Sequence, residues 1–133
     1  MYKRQISGKS NAQIRLQAYE RMTLFLERMK PSNLVQKFDK ELAAVEFVFL
    51  VEKNIMEEFE YNASQQLYIS QDSWNNILNS KNNVLQLLHK TLENSPNASL
   101  QEFKTLFLMG YLDGEDYISD TIQNLRNEIS RII

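Results

Sequence analysis

The sequence predicts an all-α fold, an antiparallel helical bundle of about four to five main helices with short connections. Three observations carry that prediction. Turn formers are scarce, with three Gly and two Pro in 133 residues, whereas an all-β domain needs a turn every ~8–12 residues. Apolar residues recur at spacings of three and four over long stretches, which is the period of one helix face. The run with strand propensity, Phe47-Val48-Phe49-Leu50-Val51, has no second such run to pair with, so it is expected in a helix.

Each element follows from its own residues. Met1 to Ser10 is polar and basic and is expected to fray ahead of a single bundle domain spanning 11–133. The first helix is predicted from about Asn11 to Met29, because Ile14, Ala18, Met22, Phe25 and Met29 form an apolar stripe that Tyr19 and Leu26 widen. Pro31 should end it, since the residue before a proline is pushed out of the α region. Ser32 or Asn33 can then cap a short turn holding Leu34, Val35 and Phe38. A second long helix is predicted from near Asp39, with Leu42, Val45, Phe49, Met56 and Phe59 as its core stripe and Val48 and Ile55 beside it. So apolar a segment is expected at the centre of the bundle, covered on more than one side. It either continues to Ile69 or kinks near Asn62.

Ser70 fits the N-cap of a third long helix, with Asp72 near its positive end. One side carries Trp74, Ile77, Lys81, Val84, Leu88 and Leu92, with Leu78 and Leu85 adjacent. Packing of that side must hold the helix against Asn75, Asn76, Asn79, Asn82 and Asn83, because asparagine is a poor helix former. After the loop Asn94-Ser95-Pro96-Asn97, Ser99 and Glu102 match a capping box that opens a helix with Leu100, Phe103, Leu106, Phe107 and Tyr111. Asp113-Gly114 ends it, and Ile118, Ile122, Leu125, Ile129 and Ile132 mark a last helix.

Composition narrows the chemistry. The chain has no cysteine, which removes disulfides, thiolate metal sites and cysteine nucleophiles and fits a reducing compartment. The single His89 removes any site that needs two imidazoles. A di-iron bundle needs Glu-x-x-His on two helices, and here Gln86 stands three positions before His89. His89 itself, between Leu85 and Leu92, reads as a boundary residue satisfied by a neighbour. Glu57, Glu58 and Glu60 read as a solvated face. No stretch reaches the ~18 apolar residues of a membrane span, and the longest candidate, Leu42 to Val51, is interrupted by Glu46. The N-terminus lacks the apolar region of a signal peptide, so the chain as given is expected to be soluble and cytoplasmic. There is no Gly-rich phosphate loop, G-x-S-x-G or dinucleotide fingerprint. A pI near 5.5 argues against nucleic acid, whose partners carry a basic face. No catalytic residue, cofactor or metal ligand is assigned. Asn62-Ala63-Ser64 and Asn97-Ala98-Ser99 are formal glycosylation sequons, but nothing else points to secretion.

Charge is unevenly spread. Met1 to Phe38 holds eight Lys or Arg against Glu20 and Glu27, and Asp39 to Glu60 reverses the balance. Two neighbouring helices with complementary surfaces explain this; a basic arm (Lys3, Arg4, Lys9, Arg15) for an anionic lipid surface is the sharper alternative. One polar constellation stands out. Glu58, Asn62, Gln65, Gln66 and Ile69 lie at near-helical spacing on the second helix, where Arg21 and Arg28 of the first could face them. That group reads either as a solvent-facing stripe or as a hydrogen-bond network that fixes helix register or meets another subunit.

Arg15-Leu16-Gln17-Ala18-Tyr19-Glu20-Arg21, Leu24-Phe25-Leu26-Glu27-Arg28 and Pro31 resemble the opening of an uncharacterised family of bacterial membrane-anchored helical proteins. The similarity returns at Glu57-Glu58-Phe59-Glu60-Tyr61-Asn62, Gln65-Gln66-Leu67-Tyr68-Ile69-Ser70 and Trp74, and covers nearly the whole chain from about Ile14. That family often has a histidine where this chain has Tyr61, so conserved chemistry is not expected there. Its members begin with one transmembrane helix and a basic stretch ahead of this domain. The resemblance therefore implies a location, with Lys3, Arg4 and Lys9 suited to the cytoplasmic flank of a span this sequence lacks.

The resulting expectation is a non-enzymatic helical interaction or scaffold domain at the cytoplasmic face of a membrane, which self-associates or binds a protein partner. The rival class is an enzymatic or small-molecule-binding bundle with an inter-helix pocket lined by Tyr61, Tyr68, Trp74 or Tyr111. A peripheral anionic-lipid-binding domain is the third.

Overall fold

The structure, a computed structural model, describes residues 10–38 and 41–132. Among the described residues it is helical without strands: α1 Asn11–Met29, α2 Pro31–Leu34, α3 Ala44–Tyr61, a 3₁₀ helix Ala63–Tyr68, α4 Gln71–Asn94, α5 Leu100–Leu112 and α6 Tyr117–Ile132. The all-α bundle is as expected. The basic segment with Lys3, Arg4 and Lys9 lies outside the described residues, as does Asp39.

Caps set most boundaries where the sequence places them. Ser10 and Gln13 close a reciprocal cap at the start of α1, Ser70 accepts from the Ser73 N–H at 3.2 Å, and Ser99 and Glu102 form the predicted capping box. Each satisfies backbone donors that a helix start leaves without partners. Pro31 does more than stop α1. It occupies the first turn of α2, capped by Lys30, where its missing N–H costs nothing. Neither Ser32 nor Asn33 caps it; the Asn33 amide instead donates to the Glu27 carbonyl at 2.7 Å and ties the turn back to α1.

The second long helix departs from expectation at both ends. It opens at Ala44 and not near Asp39: Ala43 is extended and stands as the N-cap, and Glu46 reaches back to the Ala43 N–H at 2.9 Å to close the first turn. It ends at Tyr61. The Asn62 side chain donates to the Glu58 carbonyl at 2.8 Å, and the chain tightens into the 3₁₀ helix. Of the two alternatives, the break at Asn62 is the one observed.

Its faces also differ from expectation. Ala44, Phe47, Val48, Val51 and Ile55 are buried, whereas Val45 is 59% exposed, Phe49 66% and Met56 37%. The row Val45, Phe49 and Met56 faces roughly 120° away from the buried row, little more than one residue's turn of 100°. Leu42 and Phe59 of the predicted stripe do pack against the core. Both rows are apolar, so periodicity alone could not choose between them. The helix is central in sequence but is covered along one side.

Contacts fix the directions. Glu52 meets His89 and Phe59 meets Lys81, so α3 and α4 are antiparallel; Ser73 meets Glu128 and Ser80 meets Thr121, so α4 and α6 are too. Arg21 over Tyr61 and Arg28 beside Glu58 set α1 antiparallel to α3. α4 is the hub, packing on α1, α3, α5 and α6. The core holds two aromatic groups: Phe25, Phe59 and Trp74, with ring centroids 5.9 and 5.6 Å apart, and Phe47, Phe103 and Phe107 in sequence at 6.0 and 6.1 Å, with the exposed Phe38 against Phe47 at 6.5 Å. Each fully buried ring contributes about 1.5–3 kcal/mol relative to exposure.

Candidate functional site

The sequence-predicted polar group is partly assembled, in an open cleft of about 360 Å³ between α1 and α3. Arg21 and Arg28 share one side of α1 because seven residues make two turns. Facing them are Glu58, Tyr61 and Asn62 at the end of α3, with Phe25 and Leu24 at the floor and rim. Arg28 Nη1 lies 3.4 Å from Glu58 Oε2, an exposed pair joining the basic and acidic segments. Arg21 pairs differently: its guanidinium sits 5.3 Å from the centroid of the Tyr61 ring, a cation–π contact.

Asn62 turns inward along its own helix to the Glu58 carbonyl. Gln65 and Gln66 leave the group altogether, because the 3₁₀ helix breaks the spacing that would align them; the Gln66 amide bonds the Ala63 carbonyl at 3.0 Å. The expected single row of Glu58, Asn62, Gln65 and Gln66 is therefore corrected to Glu58 and Asn62. Exposed ion pairs of this geometry contribute about 0–1 kcal/mol, so the cleft orients α1 on α3 weakly.

The residues named for the pocket of the rival class are not gathered in one place: Tyr61, Tyr68 and Tyr111 each line a different open groove. Trp74 is buried against Phe59, and the Tyr111 hydroxyl donates to Asp116 and accepts from the Ile118 N–H at 3.2 Å. Tyr61 lies in the α1–α3 cleft, while Tyr68 borders a shallow groove with Asn11, Ile14 and Arg15. His89 is satisfied by a neighbour as expected, its Nε2 2.5 Å from Glu52 Oε1.

Three features escaped the sequence reading. The first is a polar network at the start of α4. Glu128 Oε1 accepts from the Tyr19 hydroxyl at 2.5 Å, Ser70 Oγ at 2.9 Å and Ser73 Oγ at 2.8 Å. Burial opposes ionisation of Glu128, yet the hydrogen bonds from Tyr19, Ser70 and Ser73 outweigh it and hold the carboxyl below its usual range. Burial, and donation to that carboxylate, push the Tyr19 phenol up. The cap Ser70 was legible; its link to a carboxylate 58 residues away was not.

The second is Lys81, buried with its ammonium 4.3 Å from the centroid of Phe59 and in none of the ion pairs among the described residues. The third is the outer row of α3, Val45, Phe49 and Met56, whose signal was present in the sequence but was read as core. Among the described residues no group of three or more His, Cys, Asp or Glu side chains is placed to hold a metal ion. No helix among them is long and apolar enough to cross a membrane.

No curated protein and no solved structure matches the chain. A family profile does, across residues 2–132. A match of that length carries both the α1–α3 cleft and the α3 outer row, and the chain accordingly belongs to the family of unknown function DUF7935.

Proposed function

We propose that this domain is a non-enzymatic interaction module that docks a protein partner on the outer face of α3, at the inner face of a membrane. One observation supports the docking most: Val45, Phe49 and Met56 form an exposed apolar row on the helix whose other side builds the core. Scattered apolar residues are ordinary on a surface, but apolar residues aligned along one helix face, Val45 and Phe49 one turn apart and Met56 two turns on, point to an interaction site. Leaving a phenylalanine about two-thirds in water forfeits on the order of 1–2 kcal/mol of burial that a partner could recover.

The α1–α3 cleft supports the same reading. Arg28 pairs with Glu58 and Arg21 rests on the Tyr61 ring, beside Glu57, and these residues make no nucleophile–base pair of the kind covalent catalysis needs. The membrane location rests on the resemblance of the Arg15–Arg28 and Glu57–Ser70 blocks to anchored proteins.

A photo-activatable benzophenone residue at Phe49, in cells making the full-length gene product, tests the docking. A protein adduct of discrete mass, lacking with the same probe at exposed Gln86, is the expected result; no adduct at Phe49 would sink the docking reading. Fractionation of the tagged full-length product tests the location, and recovery solely in the soluble fraction would refute it.

A further inference from the structure

We draw no further inference here: the strongest candidate, the apolar groove between α1 and α6 lined by Leu16, Leu24, Leu125 and Ile129, has rim charges of both signs in Glu20, Glu27 and Arg126, and nothing in the structure shows what covers it.

Discussion

At the residue scale, the best-connected side chain is a carboxylate whose partners are scattered along the chain. Glu128 joins Tyr19 of α1 to Ser70 and Ser73 at the start of α4, with its charge near the positive end of that helix. Its folded pKa is depressed, so its stabilisation is fully present above the unfolded glutamate pKa of about 4.3 and is lost as pH falls through the folded value. Glu128→Gln is expected to cost about 1–2 kcal/mol at pH 7, allowing for its partial exposure, and less at pH 3, below the unfolded value. Urea unfolding at the two pH values checks this, and an equal cost at both would contradict it. Lys81 makes a different case. Its stem lies in the core and its ammonium rests on the Phe59 ring, so its contribution is chiefly packing. Lys81→Met should change stability by less than about 1 kcal/mol, and Lys81→Ala should cost about 2 kcal/mol. A large loss with methionine would show that the charge itself is needed. The place of Lys81 on the packed side of its helix was legible, but its aromatic partner Phe59 and every hydrogen-bond partner of Glu128 belong to other elements and were not.

At the element scale, α3 shows how far periodicity carries. That 44–61 is helical followed from its residues; which side it buries did not. Two apolar rows run along it, and only the neighbours α1, α4 and α5 select Ala44, Phe47, Val48, Val51 and Ile55 for the interior. Thermal unfolding of dilute protein should separate the rows. Phe47→Ala removes a ring that touches Phe38 and Phe103 and is expected to cost about 3–5 kcal/mol, whereas Phe49→Ala should stay within about 0.5 kcal/mol. Comparable losses for both would mean that the outer row is covered. The ends of the helices were more legible where capping is local. Ser70, Ser99 and Glu102 work within one turn, and their chemistry stands in the sequence. The start of α3 was not legible, because its N-cap is Ala43, which has no capping side chain to announce it.

At the scale of the whole molecule, α4 touches four other helices while the 3₁₀ helix has no buried residue of its own. Native-state hydrogen exchange should therefore be slowest in the centre of α4, around Ile77 to Leu88, and fastest along Ala63–Tyr68. Uniform protection across both would contradict this ordering. The packing of α1 on α6 joins Tyr19 to a carboxylate 109 residues away, so the core closes only when both ends of the chain are in place. The sequence by itself determined the all-helical class and the bounds of α4 and α5, because apolar periodicity, caps and breakers act within a few residues. Only the tertiary structure decided which row of α3 is core, which arginine meets Glu58, and that Gln65 and Gln66 turn away. Those outcomes depend on contacts between helices, and the exposed row of α3 is a face that none of the described residues covers.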